Sequence, residues 1–337
     1  MLFTILLVGV LLLILALVGL CKKENFVNMG NLKPKLWIYL ETKYNSRKWH
    51  SFYSQSNQDH VPDYLNLCLD TIKNKCEDAF DIHLVSTKNY KKYLPNLKIN
   101  QKSNLDYNKD LIAANLLNKY GGIWLPASTL VLKDISQLYR KVVQDNLYFS
   151  GFSCDDDEYR CNEGSNYLLN QSVYISNKNT PVTQEWVNQL EKINNTHLSD
   201  YSFLKTGQKM LSKILNKWTG KVEILPASVN GTRDCVMKNI SADNLLSNNV
   251  TSLLDHDSTL MVTFNRDIID NNTKYNWFTR ASKKQILLSD VWFSHLTKIG
   301  LDSKSIKTYK TVQPSKDNYF WKTTQNLFIG KSPTRNS

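Results

Sequence analysis

An α/β domain with a mostly parallel sheet, preceded by one membrane-spanning helix, is the fold class this sequence predicts. Three observations predict it. Leu2 to Leu20 is an unbroken apolar run. From Pro34 onward, short apolar strand-like segments alternate with amphipathic helical ones. Midway, one such helix passes through Tyr120-Gly121-Gly122 straight into an apolar strand.

The apolar run comes first. Nineteen residues in a helix rise about 28 Å, close to the roughly 30 Å hydrocarbon core of a bilayer. A cleaved signal peptide is the competing reading. The length of the run, the lack of a basic segment before it and the lack of a small-x-small cleavage site after it favour an uncleaved anchor. Cys21, Lys22 and Lys23 follow the run. Positive charge on that flank argues for a cytoplasmic domain, whereas a Golgi-type enzyme of this layout faces the lumen, so the side of the membrane stays open. The domain reading is 1–21 anchor, 22–33 polar linker, 34–320 α/β domain and 321–337 tail.

Within the domain, Leu36 to Leu40 reads as a strand and 62–76 as a helix with Leu65, Cys68, Leu69 and Ile72 on one face. Strand 81–86 follows. Helix 106–120 carries Leu111, Ile112, Leu116 and Leu117 and stops at Gly121. Strands are predicted at 123–125, 129–132, 147–151, 172–176, 221–225 and 260–264, and helices at 135–143, 181–194, 202–218 and 284–299. In such a sheet, ligands bind at the carboxyl ends of the strands.

Composition narrows the function classes. Forty-two Lys plus Arg against thirty Asp plus Glu leave a net charge of +12, which suits an anionic partner without choosing one. The basic residues are scattered and carry no RNA-binding aromatic signature, so a membrane-tethered nucleic-acid binder is the weakest reading. Cys68, Cys76, Cys154, Cys161 and Cys235 have spacings unlike a zinc site and read as separate thiols. Six Asn-x-Ser/Thr sequons are what an Asn-rich chain holds by chance and decide nothing.

The informative segment is Asp110-Leu-Ile-Ala-Ala-Asn-Leu-Leu-Asn-Lys-Tyr-Gly-Gly-Ile-Trp-Leu-Pro-Ala-Ser-Thr, ending at Thr129. It resembles the sugar-nucleotide core of glycosyltransferase family 32 and the capsular polysaccharide synthesis families. There, an Asp-bearing helix runs into Tyr-Gly-Gly-(Ile/Val)-(Trp/Tyr)-(Leu/Ile)-Asp-x-(Asp/Thr). Asp110 stands eleven residues before Gly121, as the family's helix Asp does. Lys35-Leu36-Trp37-Ile38-Tyr39 resembles the first strand, Tyr64 to Ile72 the helix after it, Asp81 to Val85 the second strand, and Tyr93-Leu94-Pro95 its trailing helix.

The resemblance implies a GT-A fold (a Rossmann-like, mostly parallel sheet binding nucleotide-diphospho-sugars) and a retaining glycosyltransferase. A nucleotide-sugar donor, a glycan or glycolipid acceptor and the membrane are the implied partners. By the resemblance and by position, Glu41, Thr42, Asp110, Gly121, Gly122, Trp124 and Ser128 are the donor-binding candidates. Here the chain also departs from the pattern. Pro126 and Ser128 stand where the family has its two metal-holding carboxylates, and Ala113 where it has an Arg. Mn²⁺ or Mg²⁺ wants anionic oxygen ligands, so the usual site is lost.

Asp155 and Asp157 are the weak substitute candidates, with Asp255 and Asp257 as a second acidic pair. Alternatively an Arg among Arg233, Arg266 and Arg280 supplies the positive charge, or His295 reaches the sugar site from a C-terminal helix. A catalytically silent binding subunit of the same fold is the rival reading.

Overall fold

The computed structural model describes residues 33–41, 61–100, 104–153, 169–194, 203–234, 239–248, 254 and 257–302. The chain divides into two compact units, Met1–Lys33 and Pro34–Ser337. The apolar run 2–20 and residues 303–337 lie outside the described residues, as do Thr42, Asp155, Asp157, Asp255, Cys154, Cys161 and Cys235. Among the described residues, no helix is long and apolar enough to cross a membrane.

The second unit is mixed α/β. In chain order its elements are β1 (Lys35–Tyr39), α1 (Asp63–Cys76), β2 (Asp81–Val85), α2 (Leu105–Tyr120), β3 (Gly122–Pro126), β4 (Thr129–Val131), α3 (Ser136–Gln144) and β5 (Phe149–Ser153). Then come β6 (Leu169–Ser176), α4 (Pro181–Asn194), α5 (Phe203–Asn216), β7 (Val222–Leu225), α6 (Ala242–Leu245), β8 (Met261–Thr263), α7 (Arg266–Asn271), α8 (Asn276–Arg280), α9 (Lys283–Leu288) and α10 (Trp292–Leu301). The six-stranded sheet has the order β2-β1-β3-β6-β5-β7. All its strands run one way except β6, which is antiparallel to both β3 and β5. The mostly parallel sheet read from the sequence is therefore present. A separate two-stranded sheet pairs β4 with β8.

Period-two alternation sorts the strand side chains to opposite faces. Trp37, Tyr39, Trp124, Phe149 and Tyr174 face one side and pack with α2, α4 and α5. Leu36, Ile38, Ile123, Leu125, Phe152, Val173 and Ile175 face the other, with Ile72 and Cys76 of α1 and Val142 of α3. A third core joins α1 to β4, β8 and the C-terminal helices through Tyr64, Leu67, Val262, Phe264, Phe278 and Phe293.

Three elements differ from those the sequence predicts. The predicted helix 284–299 is two helices, because Ser289 is extended (φ −69°, ψ 154°) and its hydroxyl donates to the Ile286 carbonyl at 2.6 Å. The helix expected around Tyr93-Leu94-Pro95 is a single 3₁₀ turn over Tyr90–Lys92. Helices α6, α7 and α8 are absent from the sequence reading, being only four to six residues long. Cys68 and Cys76 are buried free thiols, in keeping with separate thiols.

Candidate donor-binding site

The site is built where β1 and β3 end. Helix α2 begins on that side, because it runs back antiparallel to β3 before the chain reverses at Gly121. Asn104 caps it, accepting from the Asp106 amide at 2.7 Å. Its first turns therefore bring Asp106 and Asp110 close enough to Tyr39, near the end of β1, to act on its phenol electrostatically.

Asp110 is buried beside Tyr174 of β6, its carboxyl and the phenol close enough to act on each other, though Asp110 Oδ1 and the Tyr174 hydroxyl make no hydrogen bond of good geometry among the described residues. Burial pushes the Asp110 carboxyl up to about 7, with Lys109 pulling the other way. Burial, and then the charge of Asp110, push the Tyr174 phenol up in turn. Burying a carboxyl beside a phenol, with no well-formed hydrogen bond to either among the described residues, costs free energy.

Glu41, just past β1, is held by three donors. Tyr39 Oη reaches its Oε2 at 2.9 Å, the Thr87 amide reaches Oε2 at 3.0 Å, and Thr87 Oγ1 reaches Oε1 at 2.6 Å. Its backbone carbonyl accepts from Arg266 Nη1 at 2.6 Å. Arg266 Nε also donates to Asp270 Oδ2 at 2.7 Å, and Asp270 Oδ1 accepts from Tyr64 Oη at 2.6 Å. Burial, reinforced by Asp270, raises the Tyr64 phenol, which keeps it a donor at neutral pH. Thus the chain from Tyr64 through Asp270 and Arg266 fastens the C-terminal helices to the end of β1.

Several expected donor contacts are spent within the protein. Gly121 and Gly122 sit at the amino end of β3, away from the rim. A Cβ on Gly122 (φ +110°) would lie 2.2 Å from the Lys35 carbonyl oxygen, and one on Gly121 (φ +67°) 2.8 Å from the Lys178 amide nitrogen. The close approach these glycines allow is to packed backbone, with Trp37 Nε1 donating to the Gly121 carbonyl at 3.0 Å. Trp124 is buried and stacks on Tyr39, with centroids 5.4 Å apart, so its face meets a side chain. Ser128 is buried and donates to the Phe264 carbonyl at 2.9 Å. The bend from Pro126 to Ser128, where the resembled families hold the donor's metal, is thus packed between β1 and β8 and floors no open pocket; only Pro126 is half-exposed.

The family's divalent metal does not fit this turn. Pro126 offers a carbonyl that already accepts from Thr129 Oγ1 at 2.9 Å, and Ser128 offers a hydroxyl already donated. No group of three His, Cys, Asp or Glu side chains converges on a metal position among the described residues. Of the remaining candidates, Arg280 is exposed at the end of α8, Arg233 lies in a backbone bridge with Asn239, and Asp257 accepts from Lys133 Nζ through its carbonyl. His295 pairs with Asp290 at 3.2 Å on α10. Sequence reasoning missed Tyr64, Thr87, Tyr174 and Asp270; only Asp270 left a signal, standing four residues after Arg266 on one helix.

Among solved structures, the chain is similar to the galactosyltransferase LgtC in complex with donor and acceptor sugar analogs, at 13% identity over 82% of this chain and 98% of that one, with a TM-score of 0.37. It is also similar to the glycosyltransferase GlyE of Streptococcus pneumoniae TIGR4, at 8% identity over 81% of this chain and 61% of that one, with a TM-score of 0.40. The PaToxG glycosyltransferase matches at 11% identity over 56% of this chain and 70% of that one, with a TM-score of 0.32. No curated protein matches the chain. Residues 42–218 match the family model described as capsular polysaccharide synthesis protein. That span takes in α1 through α5, including the Asp110 helix and its passage into β3, and it exceeds half of the chain's 337 residues; the protein belongs to the capsular polysaccharide synthesis protein family.

Proposed function

We propose that this protein is a membrane-anchored glycosyltransferase of the GT-A type, moving a sugar from a nucleotide-sugar donor to a glycan or glycolipid acceptor with retention of configuration. The observation that carries the reading is the rim at the carboxyl ends of β1 and β3. Arg266 bonds the Glu41 carbonyl there, and Asp110 acts on Tyr39 at the end of the same strand, in a mostly parallel sheet whose β2, β3, β5 and β6 lie within the family match. The donor's nucleoside would lie against the end of β1, with the buried Asp110 of α2 beneath Tyr39. Anchoring rests on the apolar run Leu2 to Leu20.

A catalytically silent binding subunit is the second reading, favoured by one observation: the turn at Pro126–Ser128 carries no carboxylate, and its Ser hydroxyl is consumed by Phe264. Hydrolysis of a panel of nucleotide sugars, with and without Mn²⁺, separates the two. Release of nucleoside diphosphate supports the enzyme. No turnover on any donor, with a donor-dependent rise in melting temperature, supports the silent subunit. Resistance of the full chain to alkaline carbonate extraction, lost on deleting residues 1–33, tests the anchor.

A further inference from the structure

We infer that Arg266 is the fixed positive charge that takes the diphosphate of a nucleotide donor at the ends of β1 and β3. This inference rests on the donor-binding reading above and deepens it.

A donor's diphosphate brings at least two negative charges into a partly desolvated rim and needs a cation there. The turn that holds a metal in the resembled families offers none of the anionic ligands required, as its donor set shows. Arg266 lies beside that turn. It follows Phe264 by two residues, and Phe264 is bonded to Ser128 in both directions, at 2.9 and 3.1 Å.

The guanidinium is already oriented. Nε is fixed by Asp270 and one Nη1 hydrogen by the Glu41 carbonyl, while Asp270 is itself held by Tyr64. That uses two of five N–H donors. The Nη2 group and the second Nη1 hydrogen have no partner among the described residues, and the side chain keeps 16% of its surface exposed. The remaining edge is the planar fork that matches two phosphate oxygens. Asp270 offsets part of the charge, so the attraction works through directed hydrogen bonds more than through net charge. The rival cations are placed differently: Arg280 is exposed at the far end of α8, and Lys283 is paired with Asp70 at 2.6 Å.

The test is calorimetric titration of the full chain in EDTA with UDP, GDP, uridine and guanosine. In the unmodified protein at least one diphosphate should bind about tenfold tighter than its nucleoside, the fold-change expected of charge-assisted hydrogen bonds. Arg266→Gln should erase that preference, so that diphosphate and nucleoside bind alike, Arg266→Lys should keep part of it, and Arg280→Gln should keep all of it. A preference that survives Arg266→Gln, or diphosphate binding that appears only with Mn²⁺, overturns the inference and leaves the donor site standing. If neither nucleotide nor nucleoside binds under any condition, the donor reading falls first. Should Arg266→Gln not fold, arginine modification of the unmodified chain by phenylglyoxal decides. UDP should slow reaction at Arg266 several-fold; equal rates with and without UDP overturn the inference.

Discussion

Ser128 and Phe264 hold each other across 136 residues of sequence: the Ser128 hydroxyl donates to the Phe264 carbonyl at 2.9 Å, and the Phe264 amide donates to the Ser128 carbonyl at 3.1 Å. The pair closes the turn where the resembled families carry an acidic residue. Ser128→Asp would therefore set a buried carboxylate against a carbonyl oxygen rather than create a ligand. It should destabilise the protein by about 3 kcal/mol, the scale of an unpaired buried charge. Thermal melts with and without Mn²⁺ check this. A melting temperature for the variant that Mn²⁺ lifts above that of the unmodified chain would show the turn to be a latent metal site.

Gly122 tests the reading of the double glycine as packing. A methyl group there meets the Lys35 carbonyl oxygen at 2.2 Å and forces an L residue to φ +110°. Overpacking and backbone strain add. Gly122→Ala should lower stability by about 3 kcal/mol or more in urea titrations, and Gly121→Ala (φ +67°, nearest atom 2.8 Å) should cost less. A ligand-facing glycine would behave oppositely, with stability kept and nucleotide affinity lost.

The same contrast marks what was legible in the sequence. Strands β1, β2 and β3 and helices α1 and α2 are set by local signals: apolar alternation, helical spacing, and a glycine at the end of α2. The roles of Trp124 and Ser128 were not legible, because their partners, Tyr39 and Phe264, are fixed by tertiary packing across the fold. The C-terminal helices α7 and α8 are too short for a 3.6-residue period to emerge, so Arg266 entered the reading as a basic residue without a position. What gives it one is a bond to the Glu41 carbonyl, 225 residues away.

Tyr64 extends that network into the core. Its hydroxyl is a donor to Asp270 Oδ1 at 2.6 Å, and its raised phenol keeps the bond intact through the neutral range. Tyr64→Phe leaves a carboxylate oxygen at a largely buried position without its donor. A loss of about 1–2 kcal/mol follows from the energetics of hydrogen bonds to charged groups. Urea unfolding of the variant and the unmodified chain measures the loss; a variant as stable as the unmodified chain would mean that the bond contributes nothing to the fold.

Asp110 titrates in the neutral range. Its folded-state carboxyl is pushed up to about 7 by burial, from an ordinary 3.8. Between those values the folded chain keeps a proton that the unfolded chain has released. Stability must therefore fall as pH rises from about 4 to 7 and level off above, by on the order of 4 kcal/mol for a shift of this size. Asp110→Asn removes the titration. Its amide still needs partners beside Tyr174, so the gain at high pH should be less than the full amount, but the difference in melting temperature between variant and unmodified chain should grow from pH 4.5 to about pH 7 and level off above it. A difference that stays flat across that range would mean the carboxylate is charged throughout, with a donor or cation facing it from outside the described residues.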